Sequence, residues 1–195
     1  MDISVVIPLY NEAESLPELF AWIERVMKEH NFSYEVIFIN DGSTDNSWEV
    51  IEALKSKNPE VVHAVKFRRN YGKSPGLNCG FQRAKGDVVI TMDADLQDPP
   101  ELVDRMLQYW EEGYDDIYAK RRSRGEESWL RRRLSLAFYK ILQNMSRIDI
   151  LPNVGDFRLL DRRCVLTLRR LREQERYTKG LFCWIGYQKK SIEFD

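Results

Sequence analysis

Little in this sequence favours one sign of charge, an oxidising compartment or a membrane span. Its 195 residues hold 30 Lys and Arg against 31 Asp and Glu, a formal net charge of −1. No global field therefore argues for nucleic acid or another polyanion as partner. Cysteine is scarce: Cys79, Cys164 and Cys183 are odd in number, widely spaced and form no CxxC pair. This argues against a disulfide framework or a zinc ribbon and suits a reducing compartment. No apolar run approaches the ~18 residues that span a bilayer, and the N-terminus leads straight into a strand pattern, so no signal peptide is expected. Internal repeats, low-complexity tracts and convincing linkers are all lacking, so residues 1–195 are expected to form one domain, itself soluble. Two familiar patterns also fail. Gly72-Lys73-Ser74 lacks the earlier glycine of a P-loop, with Phe67 in its place. An EF-hand starting at Asp93 would put Asp98 where glycine belongs and Asp104 where glutamate belongs.

What is present alternates. Strand-like runs at Ile3–Leu9, Tyr34–Asn40, Val61–Phe67, Asp87–Met92 and Asp116–Ala119 are separated by helix-like segments. Those helices span roughly Ser15–Glu29, Ser47–Ser56, Pro75–Ala84 and Pro99–Glu112. Ser43 or Thr44 is expected to cap the second helix, and Pro99-Pro100 suits the first turn of the fourth. Such alternation predicts an α/β fold with a mostly parallel central sheet flanked by helices. Further on, a helical stripe with basic flanks runs from Glu126 to Arg147, a short strand follows at Phe157–Leu160, and a helix covers about Arg162–Leu171. Ser191–Asp195 reads as a strand cut off in the middle, so a fragment is expected.

The chemistry concentrates at strand ends. The β-branched run Val88-Val89-Ile90-Thr91 ends in Asp93-Ala94-Asp95-Leu96-Gln97-Asp98-Pro99-Pro100. Side chains at i and i+2 share one side of an extended backbone, so both carboxylates are expected to face one hard cation. Asp93, Asp95 and the amide oxygen of Gln97 make an incomplete shell for Mg²⁺ or Mn²⁺, leaving positions for diphosphate oxygens and water. At the end of the first strand, Pro8, Tyr10 and Glu12 are either an ordinary loop or neighbours of a nucleoside. At the end of the second, Gly42, Ser43 and Thr44 are explained by a turn, whereas Asp41 resembles the ribose- or base-reading carboxylate of nucleotide folds. Arg68 and Lys73 are either solvated or phosphate-binding. Asp156 and Arg158 form either a surface salt bridge or a functional pair, with Asp156 as base or acceptor orienter and Arg158 holding a phosphate or holding Asp156. Lys120, Arg121, Arg122, Arg124 and Arg131–Arg133 concentrate positive charge in one stretch. The amphipathic helix there suits core packing, a nucleic-acid patch or a membrane surface, with Trp129 and Tyr139 adding weight to an anionic bilayer.

Together these blocks resemble the family-two glycosyltransferases of GT-A fold, and within them the polyprenyl-phosphate (dolichyl-phosphate-type) hexose transferases. The resemblance rests on Val5–Glu12, Asn40–Ser43, Arg69–Lys73, Asp93–Pro100, Gly155–Arg162 and Lys179–Phe182. It implies a Rossmann-like nucleotide-diphospho-sugar fold and inverting, metal-dependent transfer of a hexose from a UDP or GDP sugar to polyprenyl phosphate. Pro8, Tyr10, Glu12, Asp41 and Asp93 would bind the nucleotide, and Asp93, Asp95 and Gln97 the Mg²⁺ or Mn²⁺. Asp156, Asp95 and Arg121 would carry catalysis, and Arg121, Arg122, Arg124, Arg158 and Lys73 would meet the acceptor or its phosphate. Ser74-Pro75-Gly76 departs from the Glu-Ala-Ala common in relatives, so a different start of the nearby helix is expected. Relatives also continue into two transmembrane helices, which places the expected protein at the cytoplasmic face of the cell membrane, in contact with the membrane surface. Two alternatives stand beside this reading: a soluble transferase with a sugar-hydroxyl acceptor, and a non-catalytic nucleotide-sugar-binding or membrane-docking module. A nucleotidyltransferase is disfavoured, because no glycine-rich loop opens the first strand. The aromatic stretch Phe182–Tyr187 is the candidate interface for a homo-oligomer.

Overall fold

The computed structural model describes residues 1–99, 102–121, 154–171 and 178–194. Their elements run β1 (Ile3–Leu9), α1 (Leu16–Glu29), β2 (Tyr34–Asn40), α2 (Ser47–Lys57), β3 (Val62–Lys66), α3 (Lys73–Arg83) and β4 (Val88–Thr91). Then follow α4 (Leu102–Glu111), β5 (Asp116–Arg121), β6 (Val154–Asp161), α5 (Arg162–Arg170), α6 (Thr178–Trp184) and β7 (Lys189–Phe194). The expected basic helix from Glu126 to Arg147 lies outside the described residues, as do Arg122 and Arg124 before it.

One sheet holds all seven strands in the order β3-β2-β1-β4-β6-β5-β7. Every side chain of β1 and of β4 is buried, as a strand covered on both faces requires. Leu16, Leu19, Phe20, Ile23 and Met27 make the inward stripe of α1. Burying each contributes about 1.5–3 kcal/mol. The helix stops where Asn31 turns left-handed at φ 55°, with Phe32 N–H donating to the Met27 carbonyl and Asn31 N–H to that of Lys28. Helices α1, α2 and α4 share one hydrophobic cluster, and α3, α5 and α6 share another on the opposite face. The approach of α3 to β1 is close: a Cβ on Gly80 would lie 2.2 Å from Val6 Cγ1.

Two features of the topology position the site. The order reverses between β1 and β4, where open α/β sheets leave a crevice at the carboxyl ends of their strands. Strand β6 alone runs antiparallel to its neighbours, so its beginning lies where β4 finishes.

Some expected boundaries move. Helix α3 starts at Lys73 rather than Pro75, because proline is tolerated in a first turn whose N–H groups lack intrahelical acceptors. Neither Ser43 nor Thr44 caps α2. Instead Asp45 accepts from both the N–H and the hydroxyl of Ser47, while Ser43 and Thr44 bond to Asn11. The described part of α4 begins at Leu102, whose N–H donates to the Pro99 carbonyl. Of the aromatic residues in the Phe182–Tyr187 stretch, only Trp184 is exposed; Phe182 belongs to the core. Among the described residues, no helix is long and apolar enough to cross a membrane.

Candidate active site

A cavity of about 310 Å³ opens at the carboxyl ends of β1, β2 and β4. Pro8, Leu9, Tyr10 and Glu12 line it from the first strand end, and Asp41 from the second. Asn70, Gly72 and Lys73 enclose it from the start of α3, and Asp93, Ala94 and Asp95 from the end of β4. The residues assigned from the sequence to a nucleoside thus share one cleft with Asp93 and Asp95, two of the three assigned to a cation.

Asp41 is held by its own strand end. Its N–H donates to the Leu9 carbonyl at 2.8 Å, so the first two strand ends are locked side by side. Its carboxylate is buried and accepts from Tyr71 N–H and Gly72 N–H, each at 2.8 Å. That clasp draws the 70–72 loop against the end of β2. Gly42 makes the approach possible: its φ is 72°, and a Cβ there would sit 2.4 Å from the carbonyl carbon of Arg69.

The Asp93/Asp95 pair departs from the extended geometry expected of it. Strand β4 ends at Thr91, the chain bends over Ala94–Leu96, and Leu96 takes a left-handed φ of 59°. Both aspartates still line the cleft, because the bend rather than the strand aims them. Asp95 Oδ1 accepts from Gln97 N–H at 3.1 Å, and Asp98 Oδ2 accepts from Asp93 N–H at 3.2 Å. Gln97 itself is exposed and does not line the cavity. Asp98 is largely shielded, and burial pushes its carboxyl up to about 6. The Asp93 N–H lowers it, the Asp93 and Asp95 charges raise it further, and Lys73 opposes them. On the far side of this loop, a second cavity of about 420 Å³ separates Met92, Leu96 and Asp98 from α1.

The antiparallel β6 brings in a third carboxylate. Thr91 Oγ1 donates to the Asp156 carbonyl and pins the start of β6 to the end of β4. Lys73 Nζ then joins the two acidic walls, contacting Asp156 Oδ2 at 2.7 Å and also Asp93 Oδ1. Burial works to lower the Lys73 pKa, but Asp156 and Asp93 outweigh it and hold it above the ordinary lysine value. Lys73 is therefore neither merely solvated nor, in this structure, free for a phosphate.

Asp156 and Arg158 do not pair with each other. Arg158 is 3% exposed, donates through Nη1 to both oxygens of Asp116 at 3.0 Å, and lies 3.8 Å from the Phe182 ring centroid. It does not line the cleft, and its guanidinium serves the packing of α6 on the sheet. Arg121 ends β5 at the same edge of the sheet as the cleft, over the Phe194 ring. Arg122 and Arg124 lie outside the described residues. Sequence reasoning missed the Asp41 clasp on Tyr71 and Gly72 and the bridging position of Lys73. The Asn-Tyr-Gly-Lys run before α3 carried the signal, but not its partners.

Residues 4–168 match the model of a family described as glycosyl transferase family 2. An uncharacterized glycosyltransferase of Synechocystis sp. is 43% identical over 100% of this chain and 61% of its own length. The bactoprenol glucosyl transferase of Shigella phage SfV is 38% identical over 100% of this chain and 63% of its own. The chain thus spans less than two thirds of these relatives. Among solved structures, a mannosyltransferase from Pyrobaculum calidifontis in complex with GDP-Man and Mn²⁺ superposes with a TM-score of 0.66 at 18% identity, covering 98% of this chain and 54% of that one. S. aureus TarS 1–349 in complex with UDP-GlcNAc gives a TM-score of 0.65 at 18% identity, covering 98% and 56%.

Proposed function

The chain belongs to glycosyl transferase family 2 and has the GT-A fold, and from that premise we propose that it transfers a hexose from a nucleotide-diphosphate sugar to a polyprenyl phosphate, inverting the anomeric carbon by a single displacement. The observation that carries the proposal is a cavity at the switch point lined by the Asp93/Asp95 pair and by Lys73, with Asp156 of the antiparallel strand ion-paired to that lysine. Relatives named bactoprenol glucosyl transferases support the lipid acceptor.

Pro8, Tyr10, Glu12 and Asp41 hold the nucleoside in this reading. Each Asp41 oxygen already accepts one backbone N–H, yet a carboxylate has about four acceptor sites, so capacity remains for a base or ribose donor. Asp93 and Asp95 fit Mg²⁺ or Mn²⁺ in donor type, being hard oxygens, and the Lys73 ammonium against Asp93 marks a position that favours a cation. Among the described residues, no group of three or more acidic, His or Cys side chains forms a closed metal cage. The remaining ligands would come from diphosphate and water, with Gln97 acting through its main chain to hold Asp95. When bound, the ion supplies Lewis-acid stabilisation of the departing nucleoside diphosphate.

The acceptor phosphate is largely dianionic at pH 7, its second ionisation lying near 6. It needs little deprotonation, so the role of Asp156 is to orient the acceptor. Arg121, at the same sheet edge, supplies positive charge for it. A polyprenyl acceptor places the reaction at the cytoplasmic membrane surface.

The test is incubation of the protein with radiolabelled UDP- and GDP-hexoses, Mn²⁺ and polyprenyl phosphate. Label extracted into organic solvent with one donor is the expected result. Label entering a water-soluble glycan instead supports a sugar-hydroxyl acceptor, and binding of a donor without turnover supports a binding module. Either outcome overturns the proposal.

A further inference from the structure

Lys73 stands where a lysine is locally unfavourable. It is the first residue of α3, a helix with no acidic residue in its first turn, so its charge adds to the positive end of the helix dipole. The Asp41 clasp on Tyr71 and Gly72 fixes the chain immediately before it, and Gly72 turns at φ 91° into the helix. This places the ammonium between Asp93, in the loop after β4, and Asp156 on β6. Asp95 and Asp98 lie close enough for their charges to act on the same group of carboxyls. Lys73 is a cation that acts on Asp93, Asp98 and Asp156 together.

Resting on the reading above, that Asp93 and Asp95 take a divalent cation together with a nucleotide diphosphate, we infer that Lys73 is the internal counter-ion of Asp93 and Asp156 and couples metal loading to nucleotide loading. The ammonium holds Asp93 against Asp156 and competes with a divalent cation for Asp93. Two cations cannot approach one carboxylate without repelling each other strongly in a partly desolvated site. A nucleotide diphosphate offers Lys73 an alternative anion at the mouth of α3, in the cavity that Gly72 and Lys73 already line. Lys73 then turns to the diphosphate, and Asp93 is released to the metal. Metal and nucleotide each bind more tightly when the other is present, as reciprocal coupling requires. No covalent step is involved; the Lys73–Asp93 ion pair is exchanged for a Lys73–diphosphate pair and an Asp93–metal pair.

The experiment is titration of free Mn²⁺ by electron paramagnetic resonance, on the wild-type protein and on Lys73→Met, Lys73→Gln and Lys73→Arg. Each titration is run alone and then with UDP or GDP. Melting curves in EDTA accompany it to establish that each variant is folded. Lys73→Met and Lys73→Gln are expected to bind Mn²⁺ alone about tenfold more tightly than wild type, a difference of about 1.4 kcal/mol. UDP or GDP should then strengthen Mn²⁺ binding by a smaller factor in these variants than in wild type. Lys73→Arg, which keeps the charge, should stay near the wild-type affinity. Equal or weaker Mn²⁺ binding by the two charge-free variants overturns the inference and leaves the metal reading intact. Mn²⁺ binding by none of the proteins, with or without either nucleotide, overturns the metal reading and the inference with it.

Discussion

Asp98→Asn should stabilise the metal-free protein at neutral pH and lose that advantage in acid. In the folded protein the Asp98 carboxyl is pushed up to about 6, first by burial and then by Asp93 and Asp95, against an ordinary value of 3.8. An acid whose folded pKa is raised binds its proton more tightly when folded. Stability therefore falls as pH rises from about 4 to about 6, and the full penalty persists above that window. A gap of roughly two pKa units corresponds to about 3 kcal/mol at pH 7.5. Asparagine keeps an oxygen for the Asp93 N–H, which Asp98 now accepts at 3.2 Å, and removes only the charge. Urea unfolding in EDTA, followed by tryptophan fluorescence, reads the effect. The variant's midpoint should exceed wild type by about 1 M or more at pH 7.5, and the two should converge near pH 4. Carboxyls remote from Asp98 titrate alike in both proteins and cancel, while the coupling of Asp93 and Asp95 to Asp98 is part of the difference that is read. A difference that is independent of pH, or that grows in acid, would refute the reasoning.

Arg158→Met should lower stability by about 3–5 kcal/mol, because it leaves the fully buried Asp116 carboxylate unpaired. Adding Asp116→Asn should recover part of that loss, and urea midpoints of the single and double variants check both. Gly42→Ala combines a left-handed φ with a Cβ 2.4 Å from the Arg69 backbone. It should cost more than about 1 kcal/mol and weaken nucleotide binding by displacing the 70–72 loop, measurable by calorimetric titration with UDP and GDP.

The parallel half of the fold is legible because β1, β2 and β4 are almost wholly buried and read as nearly continuous apolar runs, interrupted by Ser4 in β1 and Glu35 in β2. Ile3–Leu9 and Tyr34–Asn40 have the expected limits. Pro8, Tyr10, Glu12, Asp41, Asp93 and Asp95 are legible as cleft residues for a related reason, since each follows the end of such a run or closes it. What spacing cannot reveal is pairing across the sheet. Arg158 stands two residues from Asp156, but its partner is Asp116, on the neighbouring strand β5. Lys73 reads as a solvated or phosphate-binding base until β6 returns antiparallel and sets Asp156 opposite Asp93. The expectation that Asp93 and Asp95 share an extended face fails for a local reason: Leu96 adopts a left-handed φ, which nothing about leucine announces.

The claim at the centre is that Asp93 and Asp95 make a cation-dependent nucleotide-sugar site. Thermal unfolding with a panel of UDP- and GDP-hexoses, in Mn²⁺ and in EDTA, tests it on wild type and on Asp95→Ala. Saturation at a hundredfold excess over Kd stabilises by about 2.7 kcal/mol, several degrees in Tm for a chain of this size. The account predicts that shift with one donor in Mn²⁺, and its loss both in EDTA and in Asp95→Ala. An equal shift in EDTA, or an undiminished one in Asp95→Ala, would contradict it.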